Sequence, residues 1–262
     1  MNLTNDQANA IIKEGRDYLC EFEGITPNII DDHLNDYKER HSQMTNISNV
    51  YKAILNSARN RRHLPNVINN KIFDDLETIL CKFTPDLIIQ DYKNDFNLVF
   101  KNIAPKGTKY VSTNAWVQFS KSIISGANFI SQFNNIQQFK TFTNAFTQNP
   151  ISRIGLPLLL SEEIFGFGFA LACDFIKENI SPEYVKPDTH ITDIFIKTEM
   201  SRPTASNYEI FKDVIEFSRI AKQVPYNVDK LFWLTGSGKF DLINKTVKTN
   251  RKYFIERIKK IL

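Results

Sequence analysis

Between Ile164 and Phe195 the chain reads IFGFGFALACDFIKENISPEYVKPDTHITDIF, in which two glycines one residue apart head a small-residue run and an Asp-Thr-His follows at Asp188 to His190. Gly166 and Gly168 supply the positive-φ or unhindered backbone that a tight turn requires. The spacing predicts a helix over LPLLLSEEI before the turn and a second from about Phe169, with Phe169, Ala172, Cys173 and Ile176 on one inward face. Amides at such a helix start lack intrahelical partners and sit at the positive end of the dipole, where a phosphate is held. A plain helix corner is the alternative. Asp188 follows Pro187 and precedes THITDIFIK, so its carboxylate caps the next helix. Capping alone accounts for an aspartate there, but a carboxylate fixed beyond a phosphate-gripping turn is also aimed at whatever carries the phosphate.

Two other glycine motifs fit less well. GFGFAL partly mimics a dinucleotide-binding loop, yet Leu171 stands at the third glycine position, LLLSEEI carries two glutamates where a buried strand is apolar, and no βα alternation surrounds it. TGSGKF has Phe240 where a phosphate loop needs Ser or Thr, and reads as a helix C-cap after VDKLFWL.

The elements that must position these residues are helical. Apolar residues recur three or four apart in IIKEGRDYL, NVYKAILNSA, KIFDDLETILCKF, WVQFSKSIISGANFISQF, SNYEIFKDVIEFSRIAKQV and VDKLFWL. β-Branched alternation is brief, as in GTKYVST, and FNNIQQFKTFTNAFTQNP reads as a loop or frayed helix. The fold class is mainly α. With 262 residues, 42% hydrophobic and 24% charged, the chain can bury a substantial core as one large domain or two packed lobes. No window approaches a membrane span and the polar start lacks a signal-peptide apolar core, so a cytoplasmic address without membrane contact is expected. Cys20, Cys81 and Cys173 are too scattered for a disulfide framework, a zinc site or an iron-sulfur cluster, and are expected to be buried thiols.

Charge is unevenly spread. Residues 1 to 50 carry nine acidic against four basic residues, whereas residues 239 to 262 carry eight basic against two acidic. A second basic knot, KAILNSARNRR, holds Lys52, Arg59, Arg61 and Arg62. Such patches mark either a polyanion surface or solvated helix faces.

GFG at Gly166 to Gly168 and KPDTHI at Lys186 to Ile191 resemble, in type, order and separation, the signature of the helix-hairpin-helix DNA glycosylases, which include endonuclease III, the adenine glycosylase of mismatch repair and the 8-oxoguanine glycosylases. The resemblance covers about Leu156 to Lys197 and extends more weakly from Tyr51 to Phe240. It implies a two-lobed helical fold with a cleft between lobes, one formed by residues 1–50 and 198–262 and the other by residues 51–197. It implies that Asp188 is catalytic, that Gly166, Phe167, Gly168 and Ala170 bind the DNA backbone, and that Arg59, together with Asn60, in NSARN, fills the gap left by an extruded nucleotide. Lys52, Arg61 and Arg62 form the accompanying basic patch. Asp229, Phe232 and Trp233 would line the base pocket, although core packing explains both aromatics.

Departures from the family pattern sharpen the expectation. Ala170 stands where bifunctional members carry a lysine, so no Schiff base with the sugar and no strand cleavage are expected. The family's iron-sulfur cysteines are missing, and no cofactor or metal is expected apart from a monovalent or divalent cation at the hairpin, which stays open. Arg59 replaces the usual Gln or Asn. The implied activity is that of a monofunctional DNA glycosylase, acting as a monomer on double-stranded DNA that contains a lesion or modified base, with a lean towards oxidised purines. The alternative is a helix-hairpin-helix DNA-binding protein without chemistry. His190 is read as a structural hydrogen-bonding residue rather than an acid catalyst.

Overall fold

The computed structural model describes residues 3–61 and 64–262. Arg62, assigned above to the basic patch, lies outside them. The chain is mainly helical; among the described residues the only strands are Lys239–Phe240 and Lys245–Thr246, which pair antiparallel. The chain divides into two compact units, Met1–Arg40 with Ile176–Leu262, and His41–Phe175. One unit is discontinuous, with boundaries at 40/41 and 175/176 where the resemblance implied 50/51 and 197/198. Asp188 is therefore grouped with both ends of the chain, and the glycine turn with the central insert.

The central unit is built on the helix Ala115–Ile130, which buries eleven of its residues and packs against Ile47–Arg59, Pro85–Tyr92 and Phe96–Ile103. Gly126 permits a close approach: a β-carbon there would come within 3.3 Å of Tyr51 and Ile54. The buried Tyr51 hydroxyl donates to the Ile123 carbonyl at 2.8 Å. KIFDDLETILCKF does not stay helical throughout. The helix Asn70–Ile79 gives way to a turn in which Cys81, Lys82 and Phe83 all have positive φ. GTKYVST forms no strand. The stretch expected to fray is instead a capped helix, Ile136–Thr147, because Phe139, Phe142 and Phe146 recur along it: Phe142 meets Phe129, Phe133 and Phe146, and Phe139 meets Phe133, edge to face or tilted.

The discontinuous unit surrounds the helix Pro225–Ser237, nine of whose residues are buried. It packs against Asn5–Cys20, Pro27–Asn35, Thr189–Lys197, Asn207–Ile220 and Arg251–Lys259. Phe232 is the hub of an aromatic core with Phe195, Phe217 and Phe254. The acidic start and basic end of the chain meet here, where Arg257 pairs with Glu14 and Glu21. The helix ends as its sequence indicates, with Gly238 as a left-handed C-cap donating to the Leu234 carbonyl. Among the described residues no helix is long and apolar enough to cross a membrane. Cys173 is buried, but Cys20 is exposed, contrary to expectation, because it ends its helix on the solvent side.

Candidate functional site

The glycine turn joins the helices Gly155–Glu163 and Phe169–Asn179. Gly166 has φ +88°, which a side chain would strain, whereas Gly168 has an ordinary φ and nothing within 4 Å of where a β-carbon would lie. The fold thus requires glycine at 166 and not at the exposed 168. Phe167 is buried and its ring lies 6.0 Å from that of Phe175. Phe165 is clamped at both backbone ends by serines of the Ala115–Ile130 helix: its amide donates to Ser125 Oγ at 2.8 Å and its carbonyl accepts from Ser122 Oγ at 2.7 Å. In the sequence these serines carry no signal beyond their i, i+3 spacing, which sets both on one helix face.

Two cations flank this turn. The Arg61 guanidinium lies 5.3 Å and the Lys121 ammonium 5.1 Å from the centre of the partly exposed Phe165 ring. Arg61 also donates to Gln118 at 3.1 Å. Lys121 was not foreseen, whereas Lys52 pairs with Glu77 at 3.2 Å and lies over Phe83. Ala170 is half-buried on the first turn of the second helix.

Arg59 is not placed to fill a gap in a base stack. It is buried, donates to Asn56 at 2.8 Å, to the Ile68 carbonyl at 3.1 Å and to Asn70, and stacks 4.9 Å from Phe73. Its task is to tie the end of Ile47–Arg59 to the start of Asn70–Ile79. The neighbouring Asn60 is exposed, caps the helix, and is the residue of that pair open to a partner.

In the discontinuous unit, Asp188 caps the helix Thr189–Lys197. Its Oδ1 accepts from the amides of His190 at 2.8 Å and Ile191 at 3.1 Å, and among the described residues Oδ2 has no hydrogen-bond partner. One oxygen fixes the group, and the residue is half-buried. Behind it the segment is held by Asp229, whose Oδ2 accepts from the Lys186 amide and whose Oδ1 accepts from the Lys177 ammonium at 2.7 Å. Asp229 is 1% exposed, and burial raises its pKa to about 6 despite Lys177.

Lys177 also pairs with Glu178 at 3.2 Å, and Glu178 pairs with Arg40, which in turn contacts Asp36 at 2.8 Å and the Tyr226 hydroxyl at 2.7 Å. Burial alone would raise Glu178, but Lys177, Arg40 and Lys230 hold it down to about 2. This ion network joins parts of the sequence far apart and no local pattern announces it. It also reassigns the expected base pocket: Asp229 is enclosed in the network and Phe232 is fully buried core. Trp233 alone of the three is half-buried, with the Lys230 ammonium 5.0 Å from its ring.

His190 does not act as a hydrogen-bonding brace through Nδ1, which is buried without a partner. Its ring instead packs on Gly236, where a β-carbon would come within 2.6 Å of Nδ1. Burial lowers its pKa, with Asp188 opposing and Arg251 reinforcing the shift, so the imidazole is neutral near pH 7. Among the described residues no three His, Cys, Asp or Glu side chains gather as a metal site. Comparison with protein-family models, with curated proteins and with solved structures returned no match.

Proposed function

We propose that the chain is a monofunctional DNA glycosylase that hydrolyses the N-glycosidic bond of an extruded base, with Asp188 as the catalytic carboxylate. The observation that carries this reading is the divided use of that group: Oδ1 is anchored by two helix amides while Oδ2 is unpartnered among the described residues. A carboxylate so fixed loses little freedom when it meets developing positive charge. As the bond between C1′ and the base nitrogen breaks, its electron pair leaves with the base. Asp188 stabilises the oxocarbenium-like sugar, then takes a proton from the water whose oxygen bonds to C1′. The extruded base acquires its proton from solvent in this scheme. Ala170 offers no amine, so the sugar is released without a Schiff base.

The turn at Gly166 to Gly168 supports the same reading from the side of affinity. Gly168 leaves backbone open to a close partner where no strain demands glycine, and Arg61 and Lys121 add positive charge beside it. In this assignment the turn grips a phosphate and Asn60 occupies the vacated stack.

The test incubates the full chain with duplexes carrying a panel of oxidised, alkylated and otherwise modified bases, followed by heating in alkali. Abasic product from one class, lost by on the order of a thousandfold in Asp188→Asn with duplex affinity retained, is the expected result. Duplex binding without product from any lesion would instead favour a binding protein that performs no chemistry.

A further inference from the structure

The strands Lys239–Phe240 and Lys245–Thr246 form a short ribbon whose tip is the turn Asp241–Ile243 followed by Asn244 in the left-handed conformation. Such a tip normally carries polar residues, yet here Leu242 is 51% and Ile243 41% exposed. The ribbon is rigidly seated. Phe240 is fully buried and meets the His33 ring edge to face at 5.3 Å, and the Leu242 amide donates to His33 Nε2 at 3.3 Å. The other ring nitrogen of His33 lies 2.7 Å from the Ile29 carbonyl, which requires it to be the donor and leaves Nε2 as the acceptor. Lys245 is tied to the Glu23 carbonyl, but Lys239 and Lys248 have no carboxylate partner among the described residues. The helices that flank the ribbon in the chain hold the helix that Asp188 caps: His190 packs on Gly236, and Arg251 donates to the Thr189 carbonyl at 3.2 Å.

We propose that Leu242 and Ile243 form an apolar wedge that enters between base steps of duplex DNA, with Lys239 and Lys248 contacting the phosphates on either side. Two exposed aliphatic side chains at the tip of a seated ribbon, with exposed lysines at its base, are the form of a DNA wedge, which unstacks a step and kinks the duplex. A membrane anchor needs a larger apolar face, since its affinity scales with buried apolar area. The wedge rests on DNA being the ligand of Asp188, and extends that reading to a second contact surface.

The experiment uses the full chain and a series of duplexes with 2-aminopurine moved along the sequence around a tetrahydrofuran abasic analogue. Wild type is expected to raise fluorescence at one step, and Leu242→Ser with Ile243→Ser to return it to baseline. Both side chains are exposed, so the melting temperature is expected to hold, and affinity at low salt should change by no more than about threefold because phosphate contacts dominate it. Lys239→Ala with Lys248→Ala should weaken binding on the order of tenfold and make the slope of log affinity against log salt shallower by about two. Unchanged fluorescence in the serine variant overturns the wedge and leaves the glycosylase reading standing. Failure of wild type to bind any duplex removes both. Binding to phosphatidylserine vesicles that the serine variant loses, with its fluorescence on DNA unaltered, assigns the tip to a membrane and overturns the proposal.

Discussion

At the glycine turn, Phe165 is tied by two serine hydroxyls, the one strained position is a glycine, and the charges nearby are half-buried over an aromatic ring. At the Asp188 turn, the backbone is tied by a buried carboxylate that is itself neutralised by a buried ammonium. The first is assembled from neutral hydrogen bonds and backbone freedom, whose loss costs little each. The second depends on ions removed from water, where removing one partner leaves an uncompensated charge. The contrast fits a division of labour in the proposed reading: a turn that grips can adjust to its ligand, whereas a carboxylate that meets a transient charge must already be in place.

The largest expected effect tests the second turn. Lys177→Met strands Asp229 in the interior and is expected to destabilise the protein by about 3–5 kcal/mol, measured by urea denaturation. Adding Asp229→Asn, which keeps an acceptor for the Lys186 amide, should recover a large part of that loss. Additive destabilisation by the two changes would show that the pair is not coupled and would remove the contrast.

Next comes pH. Glu178 has its folded pKa held down to about 2 against an ordinary 4.5, so its contribution is fully present above about pH 4.5 and fades as pH falls towards 2. Melting temperature should therefore fall across that window more steeply in wild type than in Glu178→Gln, which starts lower. Parallel curves would mean that the network does not hold the proton off Glu178.

The smallest effects separate the two glycines. Gly166→Ala forces a side chain into positive φ and is expected to cost about 1–2 kcal/mol. Gly168→Ala meets open space and should change stability by less than about 0.5 kcal/mol while weakening duplex binding. Equal stability losses would contradict the distinction drawn between them.

Much of this was legible before any coordinates. Asp188 as a cap was written in its place after Pro187 and before an apolar repeat, and the turn at Gly166 and the helix end at Gly238 were announced by glycine. Those are local signals. What could not be read was long-range: Asp229 and Lys177 lie 52 residues apart and neither carries a sign of its partner. Arg59 looked like a free surface cation because its acceptors, the Ile68 carbonyl and Asn70, belong to the next turn and helix. Ile136–Thr147 was misread because its polar residues outweighed a phenylalanine repeat that only tertiary packing rewards.

The discontinuity of one unit sets an order on folding during synthesis. Residues 41–175 form a contiguous compact body and can close as soon as they leave the ribosome. The helix Asn5–Cys20 precedes that body in the chain yet waits for Arg251–Lys259, because among the described residues Arg257 is the cation that pairs with Glu14 and Glu21. Until Arg251–Lys259 has been made, an acidic amphipathic helix stands without its counterpart, and the unit that holds Asp188 matures after the central one.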